Sequence, residues 1–183
     1  MKKSLFVGSF NPITIAHEKI SKELIENKIV DYLYFLPVNS NKTDLINIDN
    51  RIEMINLIKS EKEEVLNIYN YSKDGFFNYD VLEKINLNIT HIILGSDLFL
   101  KFKTFNNYLD ILNKYYLIVI NREFDTNKYI EKEYKDYKDK IIVINKQYDG
   151  SSKKAKELLK NKDNNIYLNN KVLDYINKNN LYS

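Results

Sequence analysis

The stretch Leu5-Phe6-Val7-Gly8-Ser9-Phe10-Asn11-Pro12-Ile13-Thr14-Ile15-Ala16-His17 joins a short apolar run to the start of a helix, and it decides the fold class. Gly8 ends the apolar run at a residue that tolerates unusual backbone angles. Pro12 fixes its own φ and disfavours helix at the residue before it, so a helix should begin near Thr14, which suits the N-cap position. A strand, a tight turn and a helix in this order are typical of α/β proteins.

The helix that follows this turn is amphipathic. Ile20, Leu24 and Ile25 fall on one face, and charged residues fall on the other. The N–H groups of its first turn have no partner within the helix and carry the positive end of the helix dipole, so backbone and His17 together could bind an anion. The turn therefore predicts an anion site, although a capped helix with an incidental histidine fits the same residues.

Length and composition restrict the class of protein. A chain of 183 residues suffices for one domain with a full core and is short for two, so we expect a single domain over residues 1–183. The absence of cysteine excludes disulfides and thiolate metal sites. With 28 basic and 25 acidic residues the net charge is +3, which favours small anionic substrates over nucleic acid. No stretch is as apolar as a membrane span or a secretion signal, so we expect a cytoplasmic protein without a membrane partner.

Apolar runs alternate with helical patterns along the chain. The predicted strands are Leu5–Val7, Tyr32–Leu36, Val65–Ile68, His91–Leu94, Tyr116–Ile120 and Ile141–Ile144, and the helices lie at about 16–28, 48–60, 77–86, 104–113 and 126–136. This alternation predicts α/β architecture with an open, doubly wound parallel sheet and a small C-terminal helical segment. Ligands of such sheets bind beyond the carboxyl ends of the strands, so the segments after Gly8, Pro37 and Gly95 should converge on one crevice.

The run Thr14-Ile15-Ala16-His17 resembles the first signature of the nucleotidyltransferases, which is His or Thr, any residue, Gly, His. The resemblance is to the form found in nicotinamide or nicotinate mononucleotide adenylyltransferases. Phosphopantetheine adenylyltransferases and cytidylyltransferases share the signature, so by itself it leaves the substrate open. Ala16 departs from the commoner glycine and gives less room for close backbone approach.

Later segments resemble other motifs of the mononucleotide adenylyltransferases. They are Pro37-Val38-Asn39 with Lys42, Phe77-Asn78-Tyr79-Asp80-Val81-Leu82, Gly95-Ser96-Asp97, Ser151-Ser152 through Lys156, and the C-terminal segments Val172–Ile176 and Asn179–Ser183. Lys156 stands where that family has a closing arginine, so the charge is kept and the two-pronged geometry is lost. Arg51 is predicted to support the loop that carries Lys42. The C-terminal segments favour this family over the phosphopantetheine enzymes.

The resemblance implies adenylyl transfer, in which the phosphate of nicotinate or nicotinamide mononucleotide attacks the α-phosphorus of ATP and releases pyrophosphate. It implies catalytic roles for His17, Thr14, Lys42 and Lys156. The implied ATP-binding residues are Gly8, Ser9, Phe10, His17, Gly95, Asp97, Ser151, Ser152 and Lys156, and the implied mononucleotide-binding residues are Ser9, Phe10, Lys42 and Asn78. Mg²⁺ would arrive with ATP, held by phosphate and water rather than by protein metal ligands.

Two other interpretations stay open. A phosphopantetheine or other small-phosphate nucleotidyltransferase would share the fold, and the Ser-Ser-any-any-Val-Lys-Glu run of the phosphopantetheine enzymes resembles residues 151–157. A nucleotide-binding relative without catalysis would fit the departures at Ala16, Lys153 and Lys156. The choice between nicotinate and nicotinamide depends on a few contacts that the motifs do not specify, and the sequence leaves a homo-oligomer open.

Overall fold

Six parallel strands form one sheet in the computed structural model, which describes residues 1–121 and 125–182. The strands are β1 (Lys3–Gly8), β2 (Tyr32–Pro37), β3 (Glu63–Val65), β4 (His91–Gly95), β5 (Tyr116–Ile120) and β6 (Ile141–Ile144). Their order across the sheet is β3-β2-β1-β4-β5-β6, and each neighbouring pair is parallel. The order reverses between β1 and β4, which confirms the predicted doubly wound α/β sheet.

Eight α-helices occur within the described ranges, and they cover both faces of the sheet. They are α1 (Ile15–Glu26), α2 (Ile48–Asn56), α3 (Tyr79–Lys84), α4 (Ser96–Phe99), α5 (Tyr108–Lys114), α6 (Thr126–Glu133), α7 (Ser152–Asn161) and α8 (Asn170–Lys178). Thr14 is the N-cap of α1, as predicted, with extended backbone angles. Over the same ranges, no helix has both the length and the apolar character needed to cross a membrane.

Two apolar cores lie on opposite faces of the sheet. Leu5 and Val7 of β1 belong to one core, and Phe6, between them, belongs to the other. This division follows from the strand geometry, in which successive side chains point to opposite faces. Helices α3, α4, α5 and α6 contribute buried residues to the first core, and α1, α2, α7 and α8 contribute to the second. Each face of the sheet is therefore covered by four helices, which pack on the apolar side chains that the strands present to that face.

The third strand differs from its prediction. The apolar run Val65–Ile68 was the expected strand, but β3 comprises Glu63–Val65 and Ile68 begins a 3₁₀ turn. Glu63 is buried in the strand, where its carboxylate accepts a hydrogen bond of 2.6 Å from the backbone N–H of Ser60. Glu63 therefore lies in the segment that pairs with β2, whereas Ile68 lies after the strand and its buried side chain packs in the apolar core.

Helix boundaries also differ from the predicted ones by several residues. The helix predicted at 104–113 begins at Tyr108, because Asn107 takes left-handed angles with φ +59° and a 3₁₀ turn occupies Phe102–Thr104. The helix predicted at 126–136 ends at Glu133, and a 3₁₀ segment over Lys135–Lys140 follows it. The helices predicted at 16–28, 48–60 and 77–86 are each shorter in the structure.

Gly150 and Gly95 differ in whether the structure requires a glycine at their positions. Gly150 has φ +101°, and a β-carbon there would lie 2.8 Å from Cδ1 of Tyr167. Gly95 has φ −72°, and a β-carbon there would meet nothing within 4 Å among the described residues. Backbone and packing both require glycine at position 150, and neither requires it at position 95.

We expect Gly150→Ala to lower the free energy of unfolding by about 1–3 kcal/mol, because the backbone angle and the contact with Tyr167 both oppose a β-carbon. Gly95→Ala is the matched control, and it should leave stability unchanged or raise it by up to about 1 kcal/mol. Equilibrium urea denaturation of both variants measures the difference. Equal stability of the two variants would contradict this account.

Candidate active site

The predicted site segments begin at one edge of the sheet. Gly8 ends β1 and pairs with Pro37, the last residue of β2. The parallel register sets Ser4 of β1 against His91 of β4, so Gly8 and Gly95 end these two strands at the same edge of the sheet. This edge is the carboxyl end of the strands at the point where the strand order reverses, which is the usual ligand position in such sheets.

His17 lies in the first turn of α1 with its imidazole held by Thr14. Its Nδ1 is 3.1 Å from the backbone nitrogen and 2.9 Å from the hydroxyl oxygen of Thr14. Because a backbone N–H can only donate, Nδ1 accepts, and the proton of the neutral ring resides on Nε2. The ring packs against Phe10 at 5.2 Å between centroids, and the residue is 8% exposed. Thr14 and Phe10 therefore fix a ring whose Nε2–H can donate to a phosphate oxygen near the helix N-terminus.

The ring of Phe10 belongs to the apolar core. It is 1% exposed and packs on Phe6 and Phe35 as well as on the imidazole. It also covers Gly8, where a β-carbon would lie 3.0 Å from Cζ of Phe10. Gly8 therefore has a packing reason to lack a side chain. A ligand contact at Phe10, predicted for both ATP and the mononucleotide, is restricted to its main chain.

Arg51 of α2 is fully buried and binds the segments around it through four hydrogen bonds. Nη1 donates to the carbonyls of Ser9 at 3.0 Å and Val38 at 2.8 Å, Nε donates to the carbonyl of Ile46 at 3.1 Å, and Nη2 donates to Oδ1 of Asn39 at 3.0 Å. Burial lowers the pKa of Arg51 below its ordinary value, but an arginine stays charged at neutral pH. Arg51 thus fastens the β2–α2 loop (residues 38–47) to the turn after β1.

Asn11 joins the same loop from the other side. Its Nδ2 donates to the carbonyl of Asp44 at 2.9 Å, and its Oδ1 accepts from the backbone N–H of Ile46 at 3.2 Å and from the hydroxyl of Tyr182 at 2.9 Å. Burial raises the pKa of Tyr182, so this hydroxyl remains a donor. The peptide between Asn11 and Pro12 is cis. Arg51 and Asn11 therefore both hydrogen-bond the main chain of the β2–α2 loop and hold it against the turn after β1.

Helix α7 starts beside this turn. The hydroxyl of Ser152 donates to the carbonyl of Pro12 at 2.7 Å, and the hydroxyl of Ser151 caps the helix by accepting from the backbone N–H of Lys154 at 3.2 Å. Both predicted phosphate-binding hydroxyls thus carry structural hydrogen bonds. The one O–H of Ser152 is donated to Pro12, whereas Ser151 accepts through its oxygen and keeps its O–H to donate to an anion. These bonds place the N-terminus of α7 next to the N-terminus of α1.

Lys156 forms an ion pair with Asp44 of the β2–α2 loop. The Lys156 side chain is 11% exposed and the Asp44 side chain is 48% exposed. The hydrogen bond from Lys156 lowers the pKa of the Asp44 carboxyl, and the positive charge of Lys42 lowers it further. Sequence reasoning did not select Asp44, since its partner is 112 positions away and no local motif marks it.

Of the remaining predicted residues, Lys42 lies in the β2–α2 loop, and Gly95, Asp97 and Asn78 lie at ends of strands or helices. Lys42 and Asp97 are exposed, and the space beside Gly95 is open to a ligand among the described residues. Asn78 caps α3 through Oδ1, which accepts from the backbone N–H of Val81 at 3.0 Å. A mononucleotide contact at Asn78 would therefore use its amide NH₂ group.

We expect Arg51→Met to lower the free energy of unfolding by about 3 kcal/mol, because one buried and three partly buried oxygen atoms lose their donor. Arg51→Lys should recover a minor part, since one ammonium cannot reach all four acceptors. Lys59→Met, which removes an exposed charge from the same region, should change stability by less than about 0.5 kcal/mol. Urea denaturation distinguishes these variants, and similar stabilities for Arg51→Met and Lys59→Met would refute the role of Arg51.

Comparison with known proteins points to one family. A family model described as cytidylyltransferase-like matches residues 5–167. A probable nicotinate-nucleotide adenylyltransferase of Fusobacterium nucleatum is 32% identical over 151 residues, which cover 77% of this chain and 78% of that protein. A phosphopantetheine adenylyltransferase of Petrotoga mobilis is 38% identical over 87 residues, which cover 46% of this chain and 51% of that protein.

A solved structure extends the likeness to the whole fold. The Plasmodium falciparum nicotinic acid mononucleotide adenylyltransferase complexed with NaAD superposes with a TM-score of 0.79 at 24% identity, over 100% of this chain and 98% of that chain. At that identity the match establishes the fold, and the longer sequence match identifies the family. The chain belongs to the cytidylyltransferase-like nucleotidyltransferases and, among them, to the nicotinate-nucleotide adenylyltransferase family.

Proposed function

We propose that this protein transfers AMP from ATP to nicotinate mononucleotide, which releases pyrophosphate and forms the dinucleotide in NAD biosynthesis. The observation that carries the proposal is the imidazole of His17, which Thr14 orients at the N-terminus of α1. This helix follows β1, where the strand order of the sheet reverses. The nicotinate acceptor follows the name of the relative that matches 77% of the chain.

In this reaction the attacking group is already an anionic phosphate, so no covalent enzyme intermediate is required. Catalysis then depends on positioning the two nucleotides and on stabilising the charge that develops at the α-phosphate. Nε2–H of His17 would donate to an α-phosphate oxygen, and the positive end of the α1 dipole would add to the field there. Thr14 acts through His17, because it holds Nδ1 as an acceptor.

The leaving pyrophosphate would lie between α7 and the β2–α2 loop. Lys156 and Lys42 supply positive charge there, and Ser151 and Ser152 begin the helix whose N-terminus faces the same region. At the other end of ATP, the open space at Gly95 would admit the adenosine, and the exposed carboxylate of Asp97 would accept from the ribose hydroxyls. These assignments rest on the motif resemblance, which gives each of these residues the role of the matching residue in the family.

Magnesium enters this proposal as part of the MgATP substrate. The described ranges contain no group of three or more His, Asp or Glu residues arranged to hold a metal ion. A cation bridging ATP oxygens draws its ligands from phosphate and water, so it needs few protein carboxylates. When bound it would neutralise charge on the phosphates, and the lysines of the site would share that task.

The second candidate acceptor is phosphopantetheine. The 38% identity to the Petrotoga mobilis enzyme over 87 residues favours it, although that match covers about half of each chain. A non-catalytic relative that only binds nucleotide would fit the departures at Ala16, Lys153 and Lys156. The three possibilities predict different products from the same reaction mixture.

We expect pyrophosphate release from ATP and Mg²⁺ in the presence of nicotinate mononucleotide. The assay compares nicotinate mononucleotide, nicotinamide mononucleotide and phosphopantetheine in parallel at equal concentration, with no acceptor as the blank. Release with phosphopantetheine alone would overturn the proposal in favour of the second candidate. ATP binding without release in any mixture would indicate a non-catalytic protein.

We expect His17→Ala to lower kcat/KM by about 10²–10³-fold, the effect of removing one donor to a developing negative charge. His91 provides the matched control, because it is the other histidine of the chain and begins β4, whereas Gly95 ends that strand at the proposed site. His91→Ala should keep most of the turnover. Circular dichroism and thermal unfolding confirm that both variants are folded at the assay temperature, and near-normal activity of His17→Ala would refute the assignment.

A further inference from the structure

We propose that the carboxylate of Asp44 is an internal substitute for pyrophosphate. Before ATP binds, this carboxylate pairs with Lys156; the phosphates of ATP then displace it, and after the reaction it competes with pyrophosphate for Lys156. The inference rests on the proposed function, since it assumes that Lys156 binds the leaving group. It gives the β2–α2 loop a part in product release that the motif resemblance does not assign.

The first argument is the position of Lys156. Its side chain is almost buried, and a buried ammonium requires an anionic or polar partner. Asp44 supplies that partner in this structure. A polyphosphate beside Lys156 would meet the carboxylate at close range, and two anions at one ammonium repel each other. Binding of phosphate at Lys156 therefore favours departure of Asp44.

The second argument is the charge around Asp44. Lys42, which the motif resemblance assigns to phosphate, lies on the same loop and acts electrostatically on the Asp44 carboxyl. Lys156 has the larger effect, through its hydrogen bond, and Lys42 adds a smaller attraction, so both lysines proposed to bind the leaving phosphates act on this carboxylate. This arrangement is the one expected of a group that occupies a phosphate position, because the same two cations stabilise either anion.

The third argument is that the exchange needs little movement. The main-chain carbonyl of Asp44 stays bonded to Asn11, and Asn11 and Arg51 hold Ile46 close by. The side chain of Asp44 is half exposed, so rotation about its χ1 can direct the carboxylate to solvent without unseating the loop. The ion pair can therefore open and close on the scale of one side chain.

Titration with magnesium-free pyrophosphate tests the proposal directly. Calorimetry at fixed ionic strength would compare the wild type with Asp44→Asn and with Asp49→Asn, which removes the same charge five residues away and outside the ion pair. We expect Asp44→Asn to bind pyrophosphate about fivefold more tightly than the wild type, the factor for an ion pair of about 1 kcal/mol. Asp49→Asn should show a smaller change, and Asp44→Glu should remain close to the wild type.

A kinetic measurement separates competition from a merely structural role. In turnover, Asp44→Asn should be inhibited by pyrophosphate at about fivefold lower concentration than the wild type, with a lower KM for ATP. Pyrophosphate affinity that is unchanged, or changed equally by Asp49→Asn, would overturn the proposal. Weaker binding in Asp44→Asn would also overturn it, and would indicate that Asp44 positions Lys156.

Failure of the proposed function gives a different result. If the wild type released no pyrophosphate with any acceptor, the adenylyl-transfer proposal would fall, and the magnesium-free titration would still report whether Asp44 competes with an anion at Lys156. If the wild type is active and the titration shows no gain in Asp44→Asn, the role of Asp44 alone is refuted.

Discussion

The buried guanidinium of Arg51 is the interaction on which the site depends. Its four hydrogen bonds go to neutral oxygen atoms from the turn after β1, from the end of β2 and from the loop that follows. These neutral partners satisfy the donors without a carboxylate among them to neutralise the guanidinium. A single residue of α2 thereby couples the geometry of two loops.

Much of the fold could be predicted from the sequence, because alternation of apolar strands and amphipathic helices leaves few arrangements for a parallel sheet. The prediction failed at the edge of the sheet, where β3 contains the buried Glu63 in place of an apolar residue. Hydropathy identifies residues that are buried, and Ile68 is buried, but it does not identify which of them pair with a neighbouring strand. The ring of Phe10 illustrates the same limit, since the sequence predicted a ligand contact for this residue and the ring is 1% exposed in the apolar core.

Local motifs selected His17, Thr14 and Lys156, and they missed Asp44, the partner of Lys156. His17 with Thr14 is a pair within one helical turn, so sequence spacing alone brings the two together. Asp44 meets Lys156 through the folding of distant segments, and no spacing rule connects them. The lysine in place of the family's arginine is consistent with this pairing. A point charge is satisfied by one carboxylate, whereas a guanidinium would call for a two-pronged partner.

The hydrogen bonds from Ser152 to Pro12 and from Tyr182 to Asn11 join residues that are 140 and 171 positions apart. They hold the turn near the N-terminus with segments that follow all six described strands in the sequence. During synthesis β1 and α1 can form early, but the turn between them gains its final supports only when α7 and the residues after α8 have emerged. The turn therefore reaches the geometry described here only after all six described strands have been synthesised, since β6 ends at Ile144.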